Sequence, residues 1–108
     1  MKLLFDHNVP YGLRRLLLGH SVSLADEMGW AELSNGLLLS AAEIAGFEVL
    51  ITCDQNLSYQ QNLTGRKLAL VVLSTNNWKS LRPGIGTIVA AIDSARPGSF
   101  NYVEIAQP

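Results

Sequence analysis

Short apolar runs alternate with amphipathic stretches along this chain, and that alternation limits its fold more than any other feature. Leu68 to Leu73 is the most apolar run and reads as a central strand covered on both faces. Val49 to Cys53 is a β-branched run that ends at Asp54. Lys2 to Asp6, His20 to Ala25 and Phe100 to Ile105 read as three further strands, the last at an edge. The intervening stretches carry helical spacing. Val9, Leu13, Leu16 and Leu17 share one face, with Asn8 placed to cap that helix and Pro10 suited to its first turn. Leu38, Ala41, Ala42 and Ala45 share another, capped by Ser34 or Asn35 and stopped at Gly46. Ile85, Ile88, Val89 and Ile92 follow i, i+3, i+4, i+7, and Pro97-Gly98 ends that helix. Asp26 to Ser34 and Ser74 to Pro83 read as loops, and Asn56 to Leu63 as an irregular polar segment.

The pattern predicts one α/β domain over residues 1–108. Its mostly parallel sheet has about five strands in the order 2-1-3-4-5, with right-handed crossovers and helices on both faces. With 108 residues and 48% of them hydrophobic, the chain can build a real core. A mean hydropathy of +0.20 excludes intrinsic disorder. No apolar run approaches the roughly 20 residues of a membrane span, so no membrane partner is expected. The early Asp6 argues against a signal peptide, and the single Cys53 excludes an internal disulfide; both fit a reducing cytoplasm. A net charge of −1 argues against bulk electrostatic binding of nucleic acid, so any such partner needs a local site.

Charged residues are scarce, at 16% against roughly a quarter in an average domain, so their placement is informative. Asp6-His7-Asn8 follows the first strand, Asp26-Glu27 the second, Asp54-Gln55-Asn56 the third and Ser74-Thr75-Asn76-Asn77 the fourth. Acids and amides thus gather beyond the carboxyl ends of the strands, where open α/β sheets bind ligands. The strand order reverses between strands one and three, which brings Asp6 and Asp54 to adjacent strands about 4.8 Å apart. Two carboxylates that close call for a cation, and Mg²⁺ or Mn²⁺ suits carboxylate and amide oxygens. Such an ion can activate water for phosphodiester cleavage. Other roles stand beside these. Asn8 and Asn56 can be caps or turn formers, Asp26 and Glu27 a solvated turn, and Cys53 a small buried hydrophobe. Tyr59, Gln60, Gln61, Asn62 and Arg66 can hold a phosphate backbone and nucleobases, or form a polar surface turn.

Several segments together resemble the short bacterial PIN-like family, whose members include VapC-like toxins. They are Leu3-Leu4-Phe5-Asp6, Gly19-His20-Ser21-Val22, Glu27-Met28-Gly29-Trp30, Asn35-Gly36, Val49 to Leu57, Tyr59 to Leu63 and the last helix with Pro97-Gly98. The resemblance implies a three-layer α/β domain with acids at the carboxyl edge that hold Mg²⁺ or Mn²⁺ and cut single-stranded RNA. By position, Asp6 matches the family's acid after the first strand and Asp54 that after the third. Asn35 stands where many relatives carry an acid at a helix start. His7 occupies the place of a second acid, and Leu37 the place of the acid after Asn-Gly. The resemblance also implies an antitoxin partner and a homodimer.

Three functions compete. The first is a metal-dependent ribonuclease with Asp6 and Asp54 as catalytic metal ligands, Asn35 as a further ligand, and Asn8, Asn56, Gln60, Gln61, Asn62 and Arg66 on the substrate. The second is a PIN-like module that binds RNA or protein without cutting, in keeping with the missing acids. The third is a phosphoacceptor receiver domain built on Asp6, Asp54 and Ser74 or Thr75. It lacks both a paired acid after strand one and the lysine expected after the last strand, where Ile105-Ala106-Gln107-Pro108 stands.

Overall fold

A computed structural model describes residues 1–57 and 63–107. Its five strands are β1 (Lys2–Phe5), β2 (Ser21–Leu24), β3 (Val49–Thr52), β4 (Ala69–Leu73) and β5 (Phe100–Val103). All adjacent pairs are parallel, in the order β2-β1-β3-β4-β5. The order and the parallel sense agree with the sequence pattern, although every strand is shorter than its apolar run. The difference matters most at β3, which ends at Thr52 and leaves Cys53 and Asp54 beyond the ladder.

The described residues include the helices α1 (Asn35–Ile44), α2 (Trp78–Leu81) and α3 (Ile85–Asp93), with a 3-10 helix over Tyr11–Leu16. Two expectations fail here. The stretch after β1 is 3-10 rather than α-helical, and Asn8 does not cap it: Pro10 holds the cap position in extended backbone. The stretch Ser74 to Pro83 is not all loop. Asn77 caps α2, its side chain accepting from Lys79 N at 3.1 Å. The 3-10 helix packs against α2 so tightly that a Cβ on Gly12 would stand 3.0 Å from the Trp78 ring.

Strand alternation sorts the core into two layers. On one face Leu3, Phe5, Val49, Ile51, Val71, Leu73 and Val103 meet Val9 and Leu13 from the first connection and Leu81, Ile88 and Ile92 from the last. On the other, Leu4, Leu50, Leu70 and Val72 meet Leu38, Leu39 and Ala42 of α1, together with Phe47 and Leu57. The connection from β4 to β5 crosses on the same face as that from β1 to β2, yet moves across the sheet in the opposite direction. It therefore has the opposite hand to the other three, against the expectation of uniform winding. No helix among the described residues is long and apolar enough to cross a membrane.

Candidate functional site

The register of the two central strands fixes the site. Phe5 pairs with Ile51, and Asp6 N donates to Ile51 O at 2.9 Å, so Asp6 stands across from Thr52 rather than Asp54. Asp6 is 6% exposed and Thr52 is fully buried. Burial of a charged and a polar group demands partners, and these two supply each other's. Thr52 Oγ1 donates to Asp6 Oδ2 at 2.8 Å. Its oxygen also accepts from Asp54 N at 3.0 Å. The sequence leads one to expect the two carboxylates side by side, close enough to share one metal ion. The register instead sets Thr52 opposite Asp6, and its hydroxyl links the Asp6 carboxylate to the backbone N–H of Asp54, because β3 ends two residues before Asp54.

The loop after β1 closes over this relay. Asp6 Oδ1 accepts from His7 N at 2.8 Å, and His7 Nδ1 lies 3.0 Å from the same oxygen, which sets the imidazole proton on Nδ1. Asn8 turns away from the 3-10 helix and accepts from Cys53 N at 3.0 Å through Oδ1, which also stands 3.4 Å from Thr52 Oγ1. Asn8 therefore takes up the backbone donor that β3 releases where its ladder ends. The Cys53 thiol donates to Thr75 O at 3.4 Å, and burial, with the Asp6 charge, pushes its pKa up to about 12. Such a thiol is neutral at physiological pH and no nucleophile.

Asp54 is half-buried, and its Oδ1 accepts from Asn56 N at 3.0 Å, an Asx turn that fixes the loop after β3. Gln55 Nε2 donates to Ser74 O at 2.6 Å and joins that loop to the one after β4. Beside this edge lies a cleft of about 320 Å³ lined by His7, Asn8, Val9, Pro10, Tyr11 and Asn76.

Other predicted residues fall elsewhere. Asn35 opens α1, which descends from the end of β2 to the start of β3, so it stands on the carboxyl-end side of the sheet. Arg66 does not join the site. It precedes β4 and pairs with Glu43 at 3.7 Å, at the amino end of the sheet and a full strand length from Asp6. Gln60, Gln61 and Asn62, with Tyr59, lie outside the described residues. Asp26 and Glu27 are exposed and engaged: Tyr11 Oη donates to Asp26 at 2.9 Å, and Arg14 pairs with Glu27. The Arg14 guanidinium, with Leu24 N, holds the Glu27 carboxyl below its usual range. Among the described residues, no three His, Cys, Asp or Glu side chains gather as a ligand group. Asp6 and Asp54 carry the oxygen ligands that a hard divalent ion takes, although Asp6 is nearly closed to solvent and both its oxygens already accept from Thr52 and His7. Such an ion needs only one or two carboxylates, and each carboxylate oxygen holds two lone pairs.

Sequence reading missed Thr52. A hydroxyl inside an otherwise apolar run, Val49-Leu50-Ile51-Thr52, was the available signal, since a buried hydroxyl requires a partner. Compared with protein-family models, curated proteins and solved structures, the chain matches none.

Proposed function

We propose that this chain is a metal-dependent ribonuclease of PIN type, the toxin of a toxin–antitoxin pair, acting at the carboxyl edge of β1 and β3. The observation that supports it is the Thr52 hydroxyl, which ties the Asp6 carboxylate to the backbone of Asp54 at the carboxyl edge where the strand order reverses. A bound Mg²⁺ or Mn²⁺ would supply water activation and offset the charge that develops on the phosphate. Asp6 and Asp54 would hold it. Thr52 orients the Asp6 carboxylate and fixes the backbone that carries Asp54. Asn8 keeps the two strand ends in register through Cys53 N. The half-buried Asp54 is the side open to substrate.

The test is cleavage of single-stranded RNA with Mn²⁺ or Mg²⁺ by wild type, Asp6→Asn and Asp54→Asn, with folding checked by circular dichroism. Metal-dependent cleavage that chelator stops and both substitutions abolish supports the reading. Cleavage equal in all three, or none in wild type, overturns it.

A second reading, an RNA- or protein-binding module that does not cut, is favoured by one observation. Both Asp6 oxygens already accept from the chain's own donors, Thr52 and His7. Under it, RNA or antitoxin binding persists while calorimetry detects no metal.

A further inference from the structure

We propose that β5 pairs with β5 of a second copy of this chain, antiparallel about a two-fold axis at Asn101, to form one continuous ten-stranded sheet. The backbone of β5 is half satisfied. Leu70 N donates to Ser99 O and Ser74 N to Val103 O, each at 2.9 Å. Alternation then places Asn101 on the same β4 ladder and turns the N–H and C=O of Phe100 and Tyr102 to the open edge. Among the described residues no strand lies beyond β5. Among the described residues, those that follow β5 do not fold back over this edge. After β5, Ile105 is buried with its N–H on Ser74 Oγ, and Gln107 accepts from Ser80 Oγ of α2.

Natural sheets guard such edges with charge, proline or a bulge. Phe-Asn-Tyr-Val carries neither charge nor proline, and its shortness is the one defence present. Phe100 is 42% and Tyr102 is 48% exposed, on the face opposite α3. Asn101, on the covered face, donates to Ala91 O of α3 at 3.4 Å.

The strand is complementary to itself. In an antiparallel pair centred on Asn101, Phe100 lies opposite the partner copy's Tyr102, and Tyr102 opposite its Phe100. Residues 100 and 102 are also the ones whose backbone groups face outward, so both cross pairs are hydrogen-bonded and all eight free groups of the two strands are satisfied. The same register stacks two Phe–Tyr pairs on the half-exposed face opposite α3. An isologous contact sets each charge near its own copy, and this strand has none to repel. Asn101 faces Asn101 at a non-hydrogen-bonded position, where Cα atoms stand about 4.5 Å apart, within disulfide range. Four residues a side make a patch smaller than a standard interface, so the dimer forms at protein concentrations on the order of 100 μM rather than nanomolar.

Sedimentation equilibrium of the whole chain across that range tests the pairing. Expected are a concentration-dependent dimer, conversion to monomer by Tyr102→Lys with an unchanged circular dichroism spectrum, and a covalent dimer from Asn101→Cys under mild oxidation. Wild type, whose Cys53 thiol is held on Thr75 O, serves as the uncrosslinked control. A monomer at every concentration overturns the proposal. So does a dimer that Tyr102→Lys leaves intact, or an Asn101→Cys chain that fails to crosslink. None of these outcomes depends on nuclease activity.

Discussion

The Thr52 hydroxyl donates to the Asp6 carboxylate at 2.8 Å, so the two central strands are tied at their carboxyl ends by buried side chains. The same oxygen accepts from Asp54 N, so one hydroxyl joins the Asp6 carboxylate to the backbone that carries Asp54. Replacing Thr52 with Val keeps the shape and removes the junction. Asp6 Oδ2 loses its donor in a buried setting and Asp54 N loses its acceptor. A cost of about 1–3 kcal/mol is expected, since an orphaned buried group forfeits its solvation. In a domain of this size each kcal/mol lowers Tm by about 4–8 °C. Thr52→Ser retains the hydroxyl and most of the stability. Urea unfolding of both variants checks the contrast, and equal midpoints for the two would contradict it.

The two acids differ in what their neutral amides do to the fold. Asp6→Asn puts an amide into a buried cradle built from two donors, Thr52 Oγ1 and His7 N. Only the amide oxygen can accept, so one donor is left facing an NH₂, at a cost of about 1–3 kcal/mol. Asp54→Asn keeps an oxygen for Asn56 N and sits half-exposed, so its effect stays within about 0.5 kcal/mol. Denaturant midpoints measured beside the cleavage assay separate loss of fold from loss of function.

The strand order was legible because short apolar runs, helical spacing and the preference for short connections leave few windings. The hand of the last crossover was not. Ile85, Ile88, Val89 and Ile92 specify an apolar stripe but not which face of the sheet it covers. The gathering of acids and amides at one edge was also legible, since Asp6 and Asp54 each follow an apolar run. Their pairing was not, because it depends on register between segments some 46 residues apart. Aligning the two acids assumed that both strands end at them. The ladder instead places Thr52 opposite Asp6 and frees Cys53 N for Asn8, a bond that local capping preference could not foresee. Arg66 looked available because it is cationic and close in sequence to Asp54. Its partner Glu43 reaches it from the far end of α1.

Cys53 tests the packing of this edge without reference to activity. Its pKa near 12 follows from burial and from the Asp6 charge. At pH 8 a thiol of that pKa is thiolate in about one part in 10⁴, whereas an unfolded cysteine near 8.5 is thiolate in about one part in four. A high-pKa thiolate is the stronger nucleophile, which offsets part of this difference, so Ellman's reagent should label the native chain at least about ten-fold more slowly than the urea-unfolded chain. Asp6→Asn removes one cause of the shift and should raise the native rate. Equal native and unfolded rates would show that the thiol is open to solvent.

Glu43 ties α1 to the entry of β4, and its bonds make stability depend on pH. Its Oε2 accepts from Leu68 N at 3.2 Å and from Lys67 N at 2.6 Å. These two backbone donors, followed by the charges of Arg66 and Lys67, hold the carboxyl below its ordinary value of 4.5. A carboxyl depressed in the folded state binds its proton more readily in the unfolded chain. Its contribution to stability is therefore complete above about pH 4.5 and is lost as pH falls through the lower folded value. Glu43→Gln retains an acceptor but has no charge to titrate. Wild type should exceed the variant in urea midpoint at pH 7, and the gap should narrow as the pH falls below about 4.5. Taking the difference at each pH cancels the titration of the other carboxylates, Glu27 among them. A gap that stays constant from pH 7 to 3 would mean that Glu43 acts through packing rather than through its charge.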